Sequence, residues 1–459
     1  MTVTSINPAT NEQIETFPTL TKNEVVDAIE QAETAYQSWR KTSIAQRKEV
    51  LLKFAGLLRA DRKSLARLIT LDMGKRISES ESEIEYCAKI TEFYANGAEE
   101  FLADQPMDLI DANAYLHHEP LGVLLGVMPW NFPFYQVVRF ATPNIMAGNT
   151  VLMKHASNVP QCAAAIAELF VSCELPDGVY TNLFIPSEFV EVIIADKRVR
   201  GVSLTGSEKA GAAVAALAGK YIKKSVLELG GNDPFIVLED ADLEKTIESA
   251  VKGRMVNAGQ SCVAAKRFIV VRAIADEFLE GFKEAMSNLK MGDPMDEETT
   301  LSPLSTEDAA VKLQKQVQAT IDAGATVLLG GDRPDRKGAY FNPTILTDVT
   351  PDMPTYDQEL FGPVATVYVV DDEEAAIELA NDSSYGLGGS VYTKDIARGR
   401  RVAERIETGM MFVNQPTKSQ AELPFGGLKN SGYGRELSHL GILEFVNKKL
   451  IHLGPKETK

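Results

Sequence analysis

The 459-residue chain carries 64 acidic against 47 basic residues, a net charge of −17, with 44% hydrophobic residues. That length and balance describe a folded protein of two or three domains and exclude disordered, collagen-like and small secreted scaffolds. The charge opposes phosphate backbones and anionic lipid, so neither nucleic acid nor a membrane is an expected partner. Four cysteines, Cys87, Cys162, Cys173 and Cys262, show no CxxC spacing and no accompanying histidine cluster. This argues against a metal site and suits a reducing compartment. The N-terminus has no basic, apolar leader, and no apolar run approaches the ~20 residues of a membrane span. A cytoplasmic protein is expected.

The first hundred residues read as helical. Thr21 and Glu24 have capping-box spacing, and Val25, Ile29, Ala32 and Trp39 follow at helical intervals. Further helices are expected over 45–59, 64–73 (with Gly74 as C-cap) and 81–102. Short β-like runs fill 115–127. Strands at 150–154, 182–185 and 201–205 then alternate with helices at 159–172, 188–195 and 209–220, with Ser187 and Ser207 as N-caps. Such alternation implies an open, mainly parallel α/β sheet that binds ligands beyond its strands' carboxyl ends. A second alternating region includes strands at 234–238, 268–271, 326–329 and 365–370 and a helix at 276–289. The segment 445–453 is expected to pair with the 115–127 strands in a small separate sheet.

Five segments could carry chemistry. In Gly259-Gln260-Ser261-Cys262, a cysteine after a glycine turn at an expected helix start would have its thiolate, and an oxyanion beside it, stabilised by free N–H groups. The bland alternative is a buried small hydrophobe. Glu228, between two leucines and before Gly230-Gly231, would be partly desolvated and so a base near neutrality. Thr205-Gly206-Ser207 runs from a strand into a helix, the setting for an anion at a helix N-terminus, or simply a capped turn. Pro129-Trp130-Asn131-Phe132-Pro133 is a stiff loop whose Asn131 amide could donate to an oxyanion, and Glu359-Leu-Phe361-Gly-Pro363 offers a carboxylate and an aromatic in a turn.

Together with Pro424-Phe-Gly-Gly427, these segments in this order resemble the aldehyde dehydrogenase superfamily over essentially the whole chain; within it, Arg139 at its spacing after Pro133, the run Val263-Ala-Ala-Lys266-Arg267 after the cysteine and Lys154-His-Ala-Ser157 resemble the succinate-semialdehyde dehydrogenases. The resemblance implies an α/β fold with a Rossmann-type cofactor domain (1–112 and 129–229), an α/β catalytic domain (230–428) and a small β oligomerisation extension (113–128 and 429–459). It implies Cys262 as nucleophile, Asn131 and the Cys262 N–H as oxyanion donors, and Glu228 as the base that hydrolyses a thioester. Glu436 matches a position proposed as a second proton relay. Trp130, Thr205, Gly206 and Ser207 would line the cofactor site, with Ser207 at the pyrophosphate. Glu359 would bind the nicotinamide-side ribose, and Phe361 would pack near the nicotinamide. Homodimers or homotetramers are expected.

Cofactor and substrate choice rest on fewer residues. Many NAD-using relatives have a glutamate where this chain has Ser157, after Lys154. A cation and a neutral donor there favour a 2′-phosphate by roughly 4 kcal/mol before desolvation, so NADP is expected over NAD. The alternative is that Ser157 merely caps the next helix. Gln136 and Arg139 fall i, i+3 on a helix opened by Pro133, with Arg139 about 12 Å along the axis from Asn131. Arg139 there would clamp the carboxylate of a short semialdehyde, as the resemblance also implies, or form a structural salt bridge. Val256 stands where relatives have a second arginine, so Ser419, Gln420 or Lys418 would help. Broad-specificity aldehyde oxidation, coenzyme A acylation and thiol esterase activity remain as alternatives.

Overall fold

The computed structural model describes residues 2–109 and 112–455. Three sheets organise it. The first has six strands. Its centre is Val123–Val127, flanked in parallel by Thr150–Lys154 and Val199–Thr205, with Tyr180–Asn182 at one edge. On the other side Lys224–Glu228 pairs in parallel, and Gly432–Tyr433 closes the edge antiparallel. The strands are buried on both faces by helices, as an all-apolar run such as Val123-Leu-Leu requires. The second sheet has seven strands and is parallel except for Thr326–Leu329. The third is a three-stranded antiparallel sheet of Gln105–Asp108, Ala112–Pro120 and Val446–Pro455.

The N-terminal helices follow the expected pattern. Lys22–Trp39 begins with a complete capping box between Thr21 and Glu24, and Arg62–Met73 ends at Gly74 in the left-handed conformation. Four expectations need correcting. The 115–127 stretch is split: Ala112–Pro120 pairs with Val446–Pro455, but Val123–Val127 is the central strand of the six-stranded sheet. Gly122, at a φ of +138°, turns the chain between them. The 113–128 part of the expected extension therefore crosses two sheets, and Gly432–Tyr433 also leaves it. The strand placed at 182–185 lies instead at Tyr180–Asn182. Ser187 is not a cap but the first residue of a 3₁₀ turn before a short helix at Val190–Ala195.

The fourth correction concerns the nucleophile. Cys262 is not at a helix start. The Leu243–Met255 helix passes into a 3₁₀ turn in which Asn257, Ala258 and Gly259 are all left-handed, and Cys262 follows in an irregular turn before the Arg267–Val271 strand. Left-handed backbone at Asn257 and Ala258 stores strain that the surrounding contacts must hold.

Candidate active site

Cys262 stands where two cavities meet. One, of about 1100 Å³, is walled by Phe132, Tyr135, Ile247, Val251 and Phe425 among others. The other, of about 540 Å³, is lined by Trp130, Asn131, Thr205, Gly206, Ser207, Glu359 and Phe361. Only Cys262 and Gln136 line both. The strand ends of the six-stranded sheet supply the second cavity, as open α/β sheets do.

The cofactor residues expected from the sequence gather there, except Lys154 and Ser157. Ser207 caps the Glu208–Lys220 helix, accepting from the Ala210 N–H. That helix N-terminus faces the cavity with the free N–H groups an anion needs. Trp130 and Phe361 meet edge-to-face at 5.6 Å. Glu359 Oε1 accepts from the Gly231 N–H at 3.2 Å and pairs with Lys266 at 3.1 Å. A flat apolar wall, a carboxylate and a capped helix N-terminus fit a nicotinamide dinucleotide. Lys154 and Ser157 lie at the carboxyl end of the Thr150–Lys154 strand. Ser157 is exposed and is not a cap: the next helix, Pro160–Ser172, has Val159 as N-cap without a side-chain bond. Lys312 and Gln316 also line this cavity, from the helix Glu307–Asp322. Nothing in their local sequence marks them.

The Asn131 loop is tied to the turn that carries Cys262. Asn131 Nδ2 donates to the Gln260 carbonyl at 3.2 Å, and Asn257 Nδ2 donates to the Asn131 and Gln260 carbonyls at 2.8 and 3.1 Å. Behind the loop, the buried Lys75–Glu83 ion pair turns Glu83 Oε1 onto the N–H groups of Phe134 and Tyr135 at 2.9 and 3.0 Å. That carboxylate occupies the start of the Tyr135–Ala147 helix, where negative charge is favoured. Burial pushes the Cys262 thiol up to about 12, while the Arg139 and Lys266 cations pull the other way. The other three cysteines are buried, with thiols raised by burial, and are inert packing groups.

Arg139 is where the structure departs most from expectation. It lines the larger cavity but is 1% exposed. It forms an ion pair with Glu436, while Nη1 donates to the Tyr135 hydroxyl and Nη2 to Thr205 Oγ1, each at 3.1 Å. A free bidentate clamp is therefore corrected to a guanidinium already engaged on three sides. Glu228 belongs to the same cluster. Both its carboxylate oxygens are buried without hydrogen-bond partners. Burial, with the nearby Glu436 charge, holds its carboxyl well above the ordinary carboxylate range. Burial raises Glu436 too, against the pull of Arg139. Glu228 and Glu436 line neither large cavity. Ser419 does line the larger one, beside the phenols of Tyr86 and Tyr135. Gln420 is exposed and outside the lining, because the turn to Leu423 carries it away. Tyr86 and Tyr135 gave no sequence signal.

Residues 1–451 match the aldehyde dehydrogenase family. The chain belongs to this family. It is 50% identical to a succinate-semialdehyde dehydrogenase [NADP(+)] of Deinococcus radiodurans over 455 residues, covering 99% of this chain and 95% of that one. A Mycobacterium leprae protein of the same name is 47% identical, covering 98% and 99%. Among solved structures, succinic semialdehyde dehydrogenase from Streptococcus pyogenes in complex with NADP+ superposes with a TM-score of 0.97 at 45% identity, covering 98% of this chain and all of that one. Gox0499, studied for cofactor and substrate selection, gives 0.98 at 49% identity, covering 99% and 100%.

Proposed function

We propose that the protein oxidises succinate semialdehyde, or a similarly short carboxylated aldehyde, to the dicarboxylic acid, preferring NADP and accepting NAD. One observation carries the reading: the Cys262 thiol lies between a cavity lined by Trp130, Ser207, Glu359 and Phe361 and one whose wall holds Arg139, Tyr86, Tyr135 and Ser419. The names of the relatives at 47–50% identity support it. Arg139 contributes its charge and its remaining Nη hydrogens to the substrate carboxylate, and Ser419 contributes a hydroxyl. Gln136 lies between carboxylate and thiol. Lys154 and Ser157 favour the 2′-phosphate.

The Cys262 thiolate adds to the aldehyde carbon as the C=O pair moves onto oxygen. The Asn131 amide, shifting from the Gln260 carbonyl, and the Cys262 N–H receive that oxyanion. A nicotinamide held by Trp130, Phe361 and Glu359 would supply the hydride acceptor through which the thiohemiacetal on Cys262 becomes a thioester. Glu228, which has to turn out of its buried cluster toward Cys262, takes a proton from water as the water oxygen attacks the thioester, and the Cys262 thiolate leaves. Glu436, within the same buried cluster, is placed to pass that proton on. Because Glu228 works only when deprotonated and its pKa is raised, hydrolysis should accelerate with rising pH.

The outer sheet supports self-association. Leu450 and Leu453 are 60% and 63% exposed, and Met107 lies in the edge strand across the same sheet. A homodimer or homotetramer would cover them and pair the free edges. Three buried free cysteines suit a cytoplasmic setting. The test is reduced-nicotinamide production from succinate semialdehyde and from butyraldehyde, with NADP and with NAD. A strong preference for the semialdehyde, lost in Arg139→Ala, is expected. Equal use of butyraldehyde would sink the substrate assignment. Cys262→Ala should abolish oxidation yet still bind NADP.

A further inference from the structure

Two buried cations hold the turn that carries the nucleophile. Arg254 donates to the carbonyls of Ala265 at 3.0 Å, Gly259 at 2.6 Å and Leu360 at 3.5 Å. It thus joins the strained turn to the loop that bears Glu359. Lys266, 2% exposed, reaches the other side of the same turn. Its ammonium donates to the carbonyls of Ser261 at 3.1 Å, Cys262 at 2.7 Å and Ala264 at 3.4 Å, and pairs with Glu359 at 3.1 Å. Lysine presents a compact charge with three donors, so these four acceptors saturate it. Burying such a charge is costly unless it is paired and fully hydrogen-bonded. Here one ammonium is spent on the nucleophile's own carbonyl and on the carboxylate of the cofactor cavity. Asp233 completes the surroundings: its carbonyl accepts from the N–H groups of Lys266 and Arg267, and its Oδ1 accepts from the Gly388 N–H. The charged groups facing Cys262 are thus Arg139, Lys266, Glu359 and Asp233.

We infer that Lys266 is a positioning residue that fixes the nucleophile relative to the nicotinamide end of the cofactor, by gripping the Cys262 backbone and the Glu359 carboxylate with one ammonium. The inference rests on the reading of Cys262 as nucleophile and Glu359 as ribose ligand. Without the lysine, three carbonyls of the turn and one carboxylate lose their shared donor. Thiolate formation then loses a nearby cation, and Glu359 loses its fixed orientation.

The experiment compares the wild-type enzyme with Lys266→Met, Lys266→Gln and Lys266→Arg. Iodoacetamide alkylation of Cys262 is followed against pH in the cofactor-free protein and located by peptide mass mapping. NADP binding is measured separately by fluorescence quenching, and circular dichroism checks the fold. In Lys266→Met the alkylation profile should move to higher pH by about half a unit or more. Its Kd for NADP should rise on the order of tenfold. Lys266→Arg should keep most of the profile. Should the methionine variant not fold, Lys266→Gln, which keeps donors but loses the charge, carries the same alkaline shift. A folded neutral variant with the wild-type profile, or with an altered Kd alone, overturns the inference. If the wild-type enzyme is not inactivated by alkylation at Cys262, the nucleophile assignment itself falls. If it is, and the variants match it, only the role of Lys266 falls.

Discussion

On the proposed reading, cofactor choice turns on Ser157. Replacing it with glutamate sets a carboxylate beside the Lys154 strand end, where it would repel a 2′-phosphate and accept from ribose hydroxyls. In Ser157→Glu, kcat/KM with NADP should fall on the order of ten- to a hundredfold while NAD use is retained or improved, measured by initial rates with each cofactor. An unchanged ratio would show that Ser157 does not read the phosphate. Glu436 makes a different prediction. Its carboxylate is the counter-charge of a fully buried arginine, and removing it in Glu436→Leu leaves that guanidinium unpaired. Urea unfolding should show a loss of about 3 kcal/mol or more. Cys262, Asn131 and Glu228 could be proposed from the sequence because each sits in a short segment whose chemistry is local. The commitment of Arg139 to Glu436, Tyr135 and Thr205 was not, since two of those partners come from distant elements that only the fold brings together. Lys266 entered only as part of the run Val263-Ala-Ala-Lys266-Arg267 that carries a resemblance, with no role of its own. Its role depends on which carbonyls the turn aims at it.

At the level of elements, the Asn131 loop is kept in place from beneath by His155. Its Nε2 faces the Pro133 carbonyl at 2.8 Å and its Nδ1 faces the Ala156 N–H at 2.8 Å, a pattern that the neutral ring satisfies as donor on one side and acceptor on the other. Burial pushes its pKa down to about 4. The unfolded chain therefore takes up a proton from about pH 6.5 downward, before the folded protein does. The stability of the neutral ring is full above that point and is lost as pH falls toward 4, up to about 3 kcal/mol. Thermal unfolding from pH 7.5 to 5 should show this acid sensitivity, and His155→Gln should flatten its slope; parallel slopes would remove His155 as the cause. Helices and parallel strands were legible from periodicity and caps, as with Thr21, Gly74 and Ser207. The run 115–127 was misread because two β-like stretches separated by Gly122 look continuous in sequence, although the glycine sends them to different sheets. Likewise, the Gly259 turn suggested a helix start, whereas the left-handed Asn257 and Ala258 make an irregular turn that residue type alone does not announce.

For the whole molecule, the three-stranded sheet stands apart from the two larger ones and exposes Leu450 and Leu453. Sedimentation velocity should find an oligomer of the 50.1 kDa chain, and Leu450→Asp with Leu453→Asp should shift it toward smaller species. A monomeric wild-type protein would remove that role from the outer sheet. The plan of two successive α/β sheets was legible from strand–helix alternation. The division of labour between cavities was not, because Gln136, Tyr86, Ser419 and Cys262 come from four separate stretches of chain. The placement of the thiol between two cavities sets the traffic of the enzyme. On the proposed assignment of the cavities, aldehyde and dinucleotide would reach Cys262 by different doors, so neither would have to wait for the other to leave. A dicarboxylic acid lingering on the aldehyde side would then compete with the aldehyde alone, and the spent dinucleotide could be exchanged while the acyl group is still attached.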